Sequence, residues 1–152
     1  MPVSRLKALL EERGIDYRVI PHEATYTAST TAQSVHIPGR ELAKTVMVKV
    51  DGRLAMVVLP APRKVNLGRL RRAVGAAQVM LANEAEFRSV FPDCETGAMP
   101  PFGQLYDVEL FADDALAVDE EIAFNAGSHS ELVQLAWSDY VWLAHPQMVA
   151  LS

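Results

Sequence analysis

Val46-Met47-Val48-Lys49-Val50, then Asp51-Gly52, then Leu54-Ala55-Met56-Val57-Val58-Leu59 is the stretch that decides the fold. Two apolar, β-prone runs flank a dipeptide whose residues both tolerate positive φ. That is the signature of a type I′ hairpin, whose turn twists in the same sense as the strands it joins. An antiparallel pair therefore lies near the middle of the chain. Towards the amino terminus, Leu6, Leu9 and Leu10 recur at helical spacing within Ser4 to Arg13, and Gly14 supplies a stop. Tyr17 to Ile20 reads as a short strand, and residues 28–35 as a second helix ended by Ile37-Pro38-Gly39. Towards the carboxyl terminus, Asn66 predicts the cap of a basic helix through Ala73, and Asn83 with Glu86 predicts a capping box for a helix ending near Val90. Gly97-Ala98-Met99-Pro100-Pro101-Phe102-Gly103 cannot be regular, because two prolines donate no hydrogen bond, and it predicts a rigid loop. Leu105 to Phe111, Leu116 to Val118, Ile122 to Phe124 and Val141 to Leu143 read as strands, and Ser128 with Glu131 as the capped start of a helix through Ala136. Short strands mixed with short helices, without βαβ alternation, predict a single α+β domain over residues 1–152 on a mixed or antiparallel sheet.

Half of the 152 residues are apolar, enough for one sizeable core. Charge interrupts every apolar stretch well short of the ~20 residues that cross a bilayer, and the amino terminus lacks a signal-peptide apolar run. A soluble cytoplasmic protein with no membrane partner is expected. Cys94 is the only cysteine, which excludes an internal disulfide and a cysteine-built zinc site, and it reads as a semi-buried, unreactive thiol. The net charge of −5 hides a division: all 14 Lys and Arg fall between Arg5 and Arg88. Arg63, Lys64, Arg69, Arg71 and Arg72 form the densest group, with no acid among them, and read either as a solvated face or as a contact for an anionic polymer.

No nucleophile elbow, phosphate-binding glycine loop, dinucleotide fingerprint or zinc-binding helix is present, and His22, His36, His129 and His145 are scattered. Neither a metal nor a cofactor is expected. Three features remain. Lys44 stands at the start of an apolar strand, where a long cation lies against a sheet edge. Gly97 to Gly103 holds backbone N–H groups stiffly, which suits the gripping of a carbonyl or ribose oxygen. Asn125-Ala126-Gly127-Ser128-His129 reads as a strand leading into a helix amino terminus, where N–H groups and an imidazole collect.

In this order and approximate spacing, these pieces resemble the YbaK/prolyl-tRNA synthetase-associated editing domain family. The likeness spans nearly the whole chain: the leading helix with Ile15-Asp16-Tyr17 and Pro21-His22-Glu23, Leu42-Ala43-Lys44-Thr45 with the hairpin behind it, Gly97 to Pro101, and Phe124 to His129. The resemblance implies a mixed, mostly antiparallel pseudo-barrel sheet flanked by short helices, and an enzyme that hydrolyses the ester of mischarged tRNA. By this likeness Lys44 matches an essential lysine near the terminal phosphate and ester. Gly97, Ala98, Met99, Pro100 and Pro101 match the loop that positions the adenosine and scissile carbonyl, and His129 matches a histidine of the amino-acid pocket beside Gly127 and Ser128. Thr45 stands where some alanyl-specific relatives carry Asn. The implied substrate is tRNA(Pro) bearing a small wrong amino acid, the implied partners are the tRNA acceptor end and prolyl-tRNA synthetase, and no protein nucleophile is needed. Two other readings stay open on the sequence: a silent module that holds tRNA or a synthetase, and a hydrolase of small esters.

Overall fold

The computed structural model describes residues 3–21 and 41–151. The helix expected at residues 28–35, its Ile37-Pro38-Gly39 turn, His22 and His36 lie outside the described residues. The chain runs through α1 (Ser4–Glu12), β1 (Tyr17–Pro21), β2 (Ala43–Val50), β3 (Arg53–Pro60), α2 (Leu67–Val74), β4 (Val79–Leu81) and α3 (Glu84–Phe87). It continues through β5 (Glu109–Asp113), β6 (Glu121–Asn125), β7 (Glu131–Ala136), α4 (Trp137–Ala144) and β8 (Gln147–Val149). The central sheet has the order β4-β2-β3-β5-β8, and a smaller sheet has the order β1-β7-β6. The pairs β2–β3, β2–β4, β1–β7 and β6–β7 are antiparallel, while β3–β5 and β5–β8 are parallel. The two sheets meet where Leu42 bridges Ala123 in parallel, and they do not close into a ring.

The hairpin forms as its residues dictate. Asp51 and Gly52 take φ of 50° and 83°, and Lys44 to Val50 pair residue by residue with Leu59 to Arg53. The Asp51 carboxylate accepts from the N–H groups of Ala77 and Gln78 at 3.0 and 2.9 Å, so the turn residue also anchors the approach to β4. Alternation along β2 then sorts side chains between two cores. Ala43 and Met47 join Met56, Met99, Phe102, Phe124 and Tyr140 between the sheets, whereas Val48 and Val50 face Leu70 of α2 on the opposite side. The expected caps are present. Asn66 accepts from Arg69 N–H at 3.0 Å, and Asn83 and Glu86 exchange backbone–side-chain bonds at 3.0 Å each.

Four expectations are corrected. Glu131–Ala136 is a strand paired on both sides, with β1 and β6, rather than a helix opened by Ser128. Its inner residues are all buried, so burial on both faces blurs the period that separates strand from helix. Val141 to Leu143 belong instead to α4, because Tyr140, Leu143 and Ala144 bury one helical face. Leu116 to Val118 form part of a 3₁₀ turn over Asp114–Val118, started by Asp113 accepting from Ala115 N–H at 3.1 Å. Leu105 to Phe111 is strand only from Glu109 onwards, since Gly103–Leu105 makes a 3₁₀ turn first.

Candidate active site

The glycine-proline loop and the segment ending in His129 are stitched together by backbone. Gly127 N–H donates to Ala98 O at 2.8 Å, Glu95 N–H to Gly127 O at 2.7 Å, and His129 N–H to Glu95 Oε2 at 3.4 Å. The His129 ring, only 6% exposed, lies against Gly97: a Cβ there would sit 3.5 Å from Cε1. Nε2 is 2.8 Å from Thr96 O, and a carbonyl only accepts, so Nε2 carries the proton and Nδ1 is the basic nitrogen of the neutral ring. The segment Asn125 to His129 does not enter a helix. It is the turn of the β6–β7 hairpin, and the helix-terminus argument for its N–H groups falls away. Gly127 is required there, with φ of 102° and a missing Cβ that would overlap the Val3 side chain.

The loop behaves as rigid plug and exposed tip at once. Gly97 is exposed with φ of 85°, whereas Ala98, Met99, Pro100, Pro101, Phe102 and Gly103 are buried. Phe102 packs edge-on to Phe124 and Tyr140, and the fully buried Tyr140 hydroxyl donates to Pro101 O at 2.8 Å. Gly97 N–H reaches Met99 Sδ and Ala98 N–H reaches Glu95 O. Among the described residues, Met99 N–H and Gly103 N–H are the two loop amides for which no intramolecular acceptor is found. Ser128 Oγ and Ser130 Oγ bond each other at 3.1 Å. Burial pushes the Cys94 thiol up to about 11, and Sγ sits 3.2 Å from the Tyr106 hydroxyl, so it stays protonated near neutrality, as its bland sequence context predicts.

Lys44, the second residue of β2, is half-buried on the α2 face of the central sheet. With Val46, Lys64, Val65, Leu67 and Leu81 it lines a cleft of about 290 Å³. Burial, and after it the charge of Lys64, lower its pKa from the ordinary 10.5. Thr45 falls on the opposite face with Ala43 and Met47, so strand alternation separates it from its neighbour. The parallel bridge of Leu42 to Ala123 brings the start of β2 beside β6, whose last residue opens the His129 turn. That last residue, Asn125, stands in the sequence only as the first residue of the segment leading to His129, with no role of its own. It is 9% exposed, and its Oδ1 meets no donor among the described residues. Arg63, Arg69, Arg71 and Arg72 are exposed, the last three on α2.

The aminoacyl-tRNA editing domain family matches residues 22–143, four-fifths of the chain. The chain belongs to that family. Over 150 residues it is 33% identical to the multifunctional Ser/Thr-tRNA deacylase ProXp-y of Escherichia coli (strain K12), covering 95% of this chain and 89% of that protein. It is 35% identical over 83 residues to the proline–tRNA ligase of Bacillus cytotoxicus, covering 55% of this chain but only 14% of the ligase. A crystal structure of a candidate trans-editing enzyme for prolyl tRNA synthetase superposes with a TM-score of 0.84 at 22% identity, over 97% of this chain and 94% of that one. As a member of the editing family the protein is an aminoacyl-tRNA hydrolase, a carboxylic ester hydrolase. Within this family member the Gly97–Gly103 loop and the β6–β7 turn are joined through Glu95, Ala98 and Gly127.

Proposed function

We propose that this editing domain acts in trans on mischarged tRNA, hydrolysing the ester of a small wrong amino acid, with tRNA(Pro) as the carrier. The observation that carries this reading is the backbone stitching of the Gly97 loop to the His129 turn. It sets a glycine tip, an uncommitted Met99 N–H and an oriented imidazole side by side on stiff supports. Water attacks the ester carbonyl carbon and gives up a proton, the carbonyl oxygen becomes an oxyanion, and as the carbonyl re-forms the ester C–O bond breaks and the departing ribose oxygen takes up that proton. Free amino acid and uncharged tRNA leave. Met99 N–H is the donor for the oxyanion, Gly97 and Pro100-Pro101 shape the adenosine side, and His129 with Gly127 and Ser128 bounds the amino-acid side. An aminoacyl ester is already activated, so positioning and oxyanion stabilisation supply the rate. No protein nucleophile is invoked: the Cys94 thiol is held protonated, and Ser128 is bonded to another serine. Likeness to a Ser/Thr-tRNA deacylase favours hydroxyl amino acids for the pocket, and the opposed faces of Lys44 and Thr45 support a role for Lys44 on the tRNA side.

A deacylation panel tests this, using tRNA(Pro) and other tRNAs carrying serine, threonine, alanine, cysteine or proline. Seryl- or threonyl-tRNA is expected to be cleaved well ahead of correctly charged prolyl-tRNA(Pro). Lys44→Ala, folded by circular dichroism, is expected to lose on the order of a hundredfold or more in turnover. Equal cleavage of prolyl-tRNA(Pro), or wild-type turnover by folded Lys44→Ala, overturns the assignment.

A further inference from the structure

Asn125 closes β6 and opens the turn that carries Gly127, Ser128 and His129. Strand alternation turns its side chain away from the main core: Ile122 and Phe124 join that core, whereas Ala123 belongs to a separate apolar cluster with Leu42, Ala61 and Leu132. Asn125 shares the Ala123 face and stands opposite Leu132 of β7 in the register. Leu42 bridges Ala123 in parallel, and two residues further along each strand come Lys44 and Asn125. The amide therefore occupies the face between the start of β2 and the His129 turn. Asn125 is 9% exposed, and its Oδ1 meets no donor among the described residues. A buried amide oxygen without a donor costs stability, and an apolar side chain of the same shape removes that cost. On a face otherwise built from Leu and Ala, such an amide calls for a partner that arrives from outside.

We propose that Asn125 determines specificity by hydrogen-bonding the side-chain hydroxyl of the seryl or threonyl group to be removed. This role rests on the reading that hydroxyl amino acids are hydrolysed from tRNA, and adds the residue that recognises them. A hydroxyl both donates and accepts, so it satisfies the amide in either orientation, whereas an ammonium only donates and a methyl does neither. The amide presents its oxygen by turning about χ2, a broad sp³–sp² torsion, with no change of backbone. Gly127, two residues on, donates to Ala98 O at 2.8 Å, which holds the turn that Asn125 opens against the loop proposed to grip the ester. The neighbours of Asn125 in the cluster are apolar, so a substrate without a hydroxyl leaves the amide unsatisfied. That asymmetry separates a seryl from an alanyl ester more sharply than a pocket of shape alone.

Single-turnover hydrolysis of seryl- and alanyl-tRNA(Pro) by wild type, Asn125→Leu and Asn125→Ala tests this, alongside urea melts of the three proteins. Wild type is expected to favour the seryl ester, and both variants to lower the seryl-to-alanyl ratio of rates by about ten- to a hundredfold. Asn125→Leu is also expected to melt at the same or a higher urea concentration, since it removes a buried oxygen that lacks a donor. Selectivity lost while stability is kept is a pattern that a purely structural amide does not give. A ratio that does not move, whether both rates stay or both fall by the same factor, overturns the role of Asn125. So does a wild type that does not distinguish the two esters, or an Asn125→Leu protein that melts earlier. Wild type that cleaves neither ester, nor any other mischarged tRNA, refutes the function proposed above and this role with it. Normal deacylation with an unmoved ratio refutes the role of Asn125 alone.

Discussion

Gly97 is the residue on which the local geometry and the proposed chemistry converge. Its φ of 85° is a region that L side chains rarely adopt, and a Cβ there would already touch the His129 ring, 3.5 Å from Cε1. Gly97→Val is expected to cut single-turnover hydrolysis of a mischarged tRNA by roughly a hundredfold. Because the position is exposed, the backbone strain is expected to cost only about 1–3 kcal/mol in a urea melt. A variant with wild-type turnover would make the loop a packing device alone. Lys44 gives a second test at this scale. Its folded-state pKa lies below that of the unfolded chain, so the folded form holds its proton less tightly. The penalty for keeping that charge is present at neutral pH, and it is relieved as pH rises from the lowered folded value towards 10.5, which makes Lys44 a small stabilising influence of alkaline pH. Removing the neighbouring charge in Lys64→Met is expected to move the Lys44 titration, followed by NMR, upwards. A titration that does not move would mean the two ammonium groups do not sense each other.

The element that carries three arginines of the basic segment is α2. Only Leu70 of its residues is buried, and Arg71 and Arg72 lie in its last turn, where cations complement the carboxyl end of the helix dipole. That structural use does not require all three exposed arginines, and α2 starts on the wall of the Lys44 cleft. Changing Arg69, Arg71 and Arg72 together to Ala is expected to weaken tRNA binding and to lower the slope of log K against log salt by roughly one unit for each phosphate no longer neutralised. Filter binding at several salt concentrations measures it. An unchanged slope would place the tRNA body on another face. Asn66, whose side chain caps the helix, offers a control: its replacement destabilises α2 without removing a charge.

Across the whole molecule, the loop is held from behind by elements far away in sequence. Tyr140 of α4 reaches Pro101, Phe124 of β6 packs on Phe102, and Val3 at the amino end covers Gly127 while its N–H donates to Ala126 O at 3.0 Å. Tyr140→Phe keeps the ring packing and removes only the hydroxyl, leaving a buried carbonyl unpaired. A stability loss of about 1–3 kcal/mol is expected by urea denaturation. If the loop's stiffness is what orders Met99 N–H, turnover falls further than substrate affinity does. A variant that melts early yet turns over normally would separate the tether from the chemistry.

Much of this arrangement was legible in the residues alone. Asp51-Gly52 between two apolar runs specified the hairpin, Asn66 and the Asn83–Glu86 pair specified their caps, and the two prolines specified an irregular loop, because each is a short-range steric or hydrogen-bonding choice. The order of the motifs around Lys44, Gly97 and His129 carried the family. What those residues could not express was partnership over distance. Glu131–Ala136 is a strand because β1 and β6 flank it, and Trp137–Ala144 is a helix because Tyr140, Leu143 and Ala144 find the core together. Only the fold decided that Ala98 and Gly127 share a hydrogen bond, that Lys44 and Thr45 face apart, and that Lys64 joins Lys44 rather than the arginines of α2. The physical reason is that period and capping act over a few residues, whereas which faces meet is settled by burying the whole apolar surface at once.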